Sequence, residues 1–124
     1  MQNYSARLST GPRNHEHISP ILRSLHWLPI PERIDFKLLL LTFKSVNDVA
    51  SPYMEELLVR YRPTRTLRSA DKGVLVQTKY NLKTYGYRAF SHAAHKIWNS
   101  MPVSIRTCPE LGAFKSKIKT FLLK

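Results

Sequence analysis

Apolar positions recur at helical spacing through most of the chain. Ile18, Ile21, Leu22 and Leu25 form the first such set. Ser19-Pro20 reads as an N-cap followed by a first helical residue, and Pro29 ends the segment. Pro31 can open the next helix, predicted from about Pro31 to Asp48. Its polar stripe is narrow, because Arg33, Lys37, Lys44 and Asp48 fall within roughly one-sixth of the helical wheel. Ile34, Leu38, Leu39, Leu41, Phe43 and Val46 cover most of the remainder. A helix apolar nearly all round is predicted to be the central buried one. Ser51-Pro52 repeats the cap signature ahead of a short helix marked by Met54, Leu57, Leu58 and Tyr61.

From Arg60 the texture changes. Pro63, Gly73 and scattered Thr and Ser break the period, and Gly73-Val74-Leu75-Val76-Gln77-Thr78 reads as a short strand. Leu82 to Tyr85 reads as a second extended piece. Helical spacing resumes from about Tyr87 to Met101. It places Phe90, Ala93, Ala94, Ile97, Trp98 and Met101 on one side and Arg88, His92, His95, Lys96 and Asn99 on the other. A last helix, about Glu110 to Leu123, aligns Leu111, Phe114, Ile118, Phe121 and Leu122. The pattern predicts a mainly α fold with a minor β element: a small helical domain with a basic, partly extended middle segment. Residues 1–59 form its helical part, 60–86 the basic loop or strand segment, and 87–124 the C-terminal helices. At 124 residues this is one domain, or a fragment of a larger one.

Charge narrows the choice of partners. Twenty Lys and Arg oppose eight Asp and Glu, giving a net charge of +12. That is more than solubility requires, and it points to nucleic acid, an acidic protein or a membrane surface. The longest apolar run is Leu38 to Leu41, far short of the roughly 20 residues of a membrane span. The first twenty residues carry no apolar signal region, so the protein is expected to be intracellular, nuclear or cytoplasmic, and not secreted. The single Cys108 excludes an internal disulfide.

Catalytic chemistry is poorly supplied. The carboxylates are scattered, and the adjacent pair Glu55-Glu56 sits where acids complement a helix dipole. No Asp-Asp or Asp-x-Asp is available for a two-metal site, and the glycines are isolated. His15-Glu16-His17 offers three ligands where a structural zinc wants four, and reads as a polar lead-in to the first cap. His92 and His95 share a face with Arg88 and Lys96, and read as basic surface. Cys108 has no activating base beside it in sequence. The expectation is a non-enzyme without metal or cofactor.

The remaining signal is the basic segment. Arg60, Arg62, Arg65, Arg68, Lys72, Lys79, Lys83, Arg88 and Lys96 are opposed only by Asp71, and Tyr61, Tyr80, Tyr85 and Tyr87 are interleaved. Arginine forks onto phosphate and tyrosine stacks on unpaired bases, so these cations with Tyr85 and Tyr87 form a candidate site for RNA or single-stranded DNA. The competing reading is a solvated basic surface whose tyrosines pack on the core. Lys115, Lys117 and Lys119 offer a third, a basic amphipathic helix lying on an anionic membrane.

Several strings carry a resemblance. They are His17-Ile18-Ser19-Pro20-Ile21-Leu22-Arg23-Ser24-Leu25-His26-Trp27-Leu28-Pro29, Arg33-Ile34-Asp35-Phe36-Lys37, and Tyr61-Arg62-Pro63-Thr64-Arg65-Thr66-Leu67-Arg68-Ser69. Lys83-Thr84-Tyr85-Gly86, Arg88-Ala89-Phe90-Ser91, Trp98-Asn99-Ser100-Met101-Pro102 and Phe114-Lys115-Ser116 complete the set. In this order they resemble the C-terminal region of reverse transcriptases from animal non-LTR retrotransposons of the chicken-repeat, L2 or jockey-like type. Tyr87 stands where that family commonly has Asp, and His95 where it commonly has Pro. The resemblance implies a region downstream of an endonuclease and a polymerase, none of whose catalytic residues occurs here. It implies a non-catalytic accessory role on template RNA or target DNA. The alternative is a structural or interaction module that docks on the parent polymerase domain. Because such elements are often truncated, a fragment with apolar faces exposed on the 110–123 helix, or on a helix near Asn3 to Thr10, is also expected.

Overall fold

A computed structural model describes residues 2–11, 17–68, 72–79, 81–86 and 89–123. Among them the chain forms α1 (Gln2–Thr10), α2 (Ile18–Ser24), α3 (Ile30–Val46), α4 (Pro52–Glu56), α5 (Lys83–Gly86), α6 (Phe90–Ser100), α7 (Val103–Arg106) and α8 (Leu111–Leu122). The fold is mainly helical, as its periodicity predicts. The β element reduces to one antiparallel bridge between Arg60 and Leu75, because no further residue of 73–78 finds a strand partner. Leu82 to Tyr85 is not extended. Its last three residues lie in the single turn of α5, closed by the Gly86 N–H donating to the Leu82 carbonyl at 2.8 Å.

The core is a three-helix contact of α3 with α6 and α8. Phe43 stacks on Phe114 with ring centroids 4.2 Å apart, and Trp98 tilts against the same ring at 5.9 Å. Leu39, Ala94, Met101, Ile105 and Ile118 close around these rings, and Leu75 enters from the middle segment. Each fully buried aromatic or aliphatic side chain here contributes on the order of 2 kcal/mol from burial. The apolar stripe of α8 is therefore spent internally: Phe114 and Ile118 are buried, contrary to the expectation that this helix exposes it. On α1, Tyr4 and Leu8 do face solvent.

Helix ends follow backbone rules that the pattern reading misplaced. α2 begins at Ile18 with His17 as N-cap, so Ser19 and Pro20 lie in its first turn. Proline is tolerated there because first-turn N–H groups have no intrahelical acceptor. The helix ends before Pro29. His26 adopts φ 54°, with its N–H on Arg23 and the Trp27 N–H on the Leu22 carbonyl. These are the two bonds of a Schellman stop. Asp48, at φ 57°, ends α3 in the same left-handed way.

α3 is central but not buried all round. Leu39 and Phe43 face the core together with Thr42 and Ser45, whose hydroxyls donate to the Leu38 and Leu41 carbonyls one turn back. Their small size lets neighbouring helices approach, and the back-bonding removes the penalty of burying them. At about 100° per residue, Ile30, Ile34 and Leu41 lie about 180° to 220° from Leu39. These three are 62%, 57% and 41% exposed. Two partner helices, α6 and α8, cover one side of α3, and its opposite apolar side remains open.

His95 is a further correction. Instead of joining a basic surface it is fully buried, with Nδ1 donating to the Ser91 carbonyl and Nε2 left without a hydrogen-bond partner. Burial, and secondarily the neighbouring His92, hold its imidazole below the ordinary 6.5. The unfolded chain then takes up a proton near pH 6.5 that the folded protein refuses, so this contribution is complete above that pH and lost as pH falls below it. Asp35 is shifted upward, by burial and then by Glu32, and acts with the opposite sign in the carboxylate range. The melting temperature, followed by circular dichroism, should fall between pH 7.5 and 5.5. His95→Phe should flatten that fall, and an unchanged slope would contradict the assignment.

Candidate nucleic-acid interface

The basic segment is held at its base by backbone pairing. Across the Arg60–Leu75 bridge, the Tyr61 N–H donates to the Val74 carbonyl at 2.9 Å, and the Val76 N–H donates to the Val59 carbonyl at 2.8 Å. Alternation along an extended chain turns the N–H and C=O of Leu75 the other way, toward α6. There Asn99 takes both: its Oδ1 accepts from the Leu75 N–H at 3.0 Å, and its Nδ2 donates to the Leu75 carbonyl at 2.9 Å. The side-chain amide replaces a neighbouring strand. One residue earlier on α6, the Trp98 indole N–H donates to the Gly73 carbonyl at 2.8 Å. Gly73 sits at φ 60°, a region a side chain would strain by roughly 1–2 kcal/mol. The Leu75 side chain, only 2% exposed, completes the anchor in the core.

Between these fixed ends the cations face solvent. Arg62, Arg65, Arg68 and Lys72 are exposed, as is Arg60 at the bridge and Lys79 beyond it. Lys83 and Tyr85 lie on α5, with Tyr85 79% exposed, and Tyr61 is also exposed. The Tyr85 ring is therefore not packed on the core, and Tyr61 is 45% exposed. Tyr80, Tyr87, Arg88 and Asp71 lie outside the described residues. Lys96 lines a different hollow, between α3 and α6 beside Asp35 and His92. The structure thus ties the Arg60–Lys79 cations to one anchored segment and places Lys96 elsewhere.

Sequence reading set Asn99 on a polar helix face and gave Trp98 to the core. It missed that both hold the basic segment. The available signal was their adjacency, since consecutive helix positions bearing an indole and an amide can serve neighbouring carbonyls of one extended strand.

Other candidates recede. Cys108 is buried in the core, its thiol toward the Glu110 carbonyl. His15 and Glu16 lie outside the described residues, and His17 is an exposed helix cap. No group of three or more His, Cys, Asp or Glu able to hold a metal occurs among the described residues. No helix among them is long and apolar enough to cross a membrane. No protein-family model, curated protein or solved structure matches the chain.

Replacing Asn99 with Ala would strand the buried N–H and C=O of Leu75, at roughly 1–3 kcal/mol for each unmet group. Asn99→Asp is the sharper probe, because it keeps the acceptor and sets a second oxygen against the Leu75 carbonyl. Both variants should lower the denaturation midpoint. Hydrogen exchange at Leu75 should quicken well beyond that at α8, and equal acceleration at both would count against a local anchor.

Proposed function

We propose that this chain is a non-catalytic accessory region of a retroelement reverse transcriptase, and that it contacts RNA or single-stranded DNA through its basic segment. The observation that carries the reading is the anchored loop base. A cation-rich segment with one end pinned to α6 by Trp98 and Asn99, and the other paired to it through the Arg60–Leu75 bridge, presents Arg62, Arg65, Arg68 and Lys72 with less conformational entropy to lose on binding. Its arginines suit phosphate oxygens, and exposed Tyr61 and Tyr85 offer faces on which unpaired bases stack. The strings resembling the retroelement family include the two anchoring residues, in Trp98-Asn99-Ser100-Met101-Pro102. The polymerase and endonuclease chemistry of such a protein would reside outside this chain.

Binding to short RNA and DNA, read by fluorescence anisotropy, tests the proposal. Each phosphate neutralised releases condensed counterion, so log affinity should fall with log salt by roughly 0.7 to 0.9 per contact. With about four to six contacts, doubling the salt should weaken binding by roughly sevenfold or more. Arg62→Ala, Arg65→Ala and Arg68→Ala together should reduce the slope by about two to three units. Tyr85→Ala should weaken single-stranded binding more than duplex binding. Replacing Lys115, Lys117 and Lys119 with Ala should matter less. Equal losses from the two clusters would mean generic charge attraction, and no binding at low salt would refute the proposal.

A further inference from the structure

The open side of α3 forms the floor of a groove of about 960 Å³. Trp27 and Leu28 wall it at the exit of α2, and Gln2 of α1 closes one end by donating from Nε2 to the Leu28 carbonyl at 2.7 Å. Ile30, Ile34, Leu38 and Leu41 run along the floor, the last three spaced four and three apart. That spacing is the seam on which one helix receives another. Over the eleven rises from Ile30 to Leu41 the row is about 16 Å long, three turns of a partner helix. Ile34 and Leu38 also line the hollow toward α6, so they stand as a ridge between two depressions. Arg33 and Lys37 of α3, and Lys119 of α8, rim the groove, and no carboxylate lines it among the described residues.

We propose that this face of α3 is a docking site for an acidic amphipathic helix of a partner protein. The apolar row takes the partner's apolar stripe, and the cationic rim takes Glu or Asp on its flanks. A second copy of this chain is a poor occupant, because it would bring the same cations into the groove and a further charge of +12 beside it. The groove shares no residue with the Arg60–Lys79 segment, so the inference stands or falls independently of nucleic-acid binding.

The test uses the full chain and a synthetic helix of about 18 residues, with Leu at four-and-three spacing and Glu on both flanks. A twin carrying Lys in place of Glu serves as control. Trp27 borders the groove while Trp98 is buried, so tryptophan emission reports occupancy. At physiological salt the Glu helix should bind the unmodified protein and the Lys helix should not. Combined Arg33→Glu and Lys37→Glu should weaken the Glu helix by about tenfold or more and admit the Lys helix. Arg62→Glu with Arg65→Glu changes net charge equally and should leave the affinity within about twofold. Ile34→Glu should abolish binding, with melting curves checking its fold. The charge-swapped pair keeps the test decisive if that variant unfolds. The proposal is overturned by failure of the Glu helix to bind, by equal binding of both helices, or by equal losses from the two charge-reversed pairs. Self-association or binding to anionic vesicles through Ile34, without peptide binding, overturns it as well.

Discussion

A residue in extended conformation inside a helical bundle poses a problem that the rest of this fold must solve. Leu75 fills a gap beside Trp98 and Phe114, yet its own N–H and C=O point toward a helix that has already paired its backbone groups. A buried peptide left in that state would cost several kcal/mol, more than the side chain gains. Asn99 solves it with a carboxamide, which carries a donor and an acceptor in peptide-like geometry. Once that pairing exists, the segment can have only one register. A shift by one residue would turn Leu75 out of the core and bring a neighbouring side chain into its place.

This constraint explains how an irregular cationic stretch can be part of a small domain. Electrostatic repulsion among Arg60, Arg62, Arg65, Arg68 and Lys72 favours an extended, solvated chain. The structure concedes that preference between the ends and fixes only the base, through the bridge to Arg60 and the bonds from Trp98 and Asn99. Cation placement thus costs the core little, because among the described residues of the stretch the buried side chain is the apolar Leu75.

Periodicity made the long elements legible: α3, α6 and α8 lie close to where their apolar spacing sets them, and the cationic segment was plain from composition. The orientation of individual polar residues was not. His95 and Asn99 occupy the polar side of the α6 wheel, but a helix in a crowded core has more than one packed face, and both residues point into one. Asn99's partner, Leu75, is 24 residues away in sequence, a relation that local spacing cannot encode. The brief turn of α5 was missed because four residues carry too little pattern to separate helix from strand.

The same limit explains α3, whose near-continuous apolar surface suggested burial on every side. Burial needs neighbours as well as apolar residues, and among the described residues α3 packs mainly on α6 and α8, with a smaller contact to α4. With α1 and α2 packed chiefly on each other, Gln2 and Trp27 wall the row of Ile30, Ile34 and Leu41 without covering it. The groove side of that face joins apolar residues at seam spacing to Arg33 and Lys37, while Asp35 lies on the other side of the ridge, toward α6. Ile34, Leu38 and Leu41 keep the spacing, while Thr42 and Ser45 take the positions where bulk would obstruct the core. The helix thereby separates its two roles: small back-bonded hydroxyls and rings toward its own bundle, and a ridge of larger aliphatic side chains rimmed by cations on the other side. A helix built only for the interior would invert that distribution and place its polar positions outward.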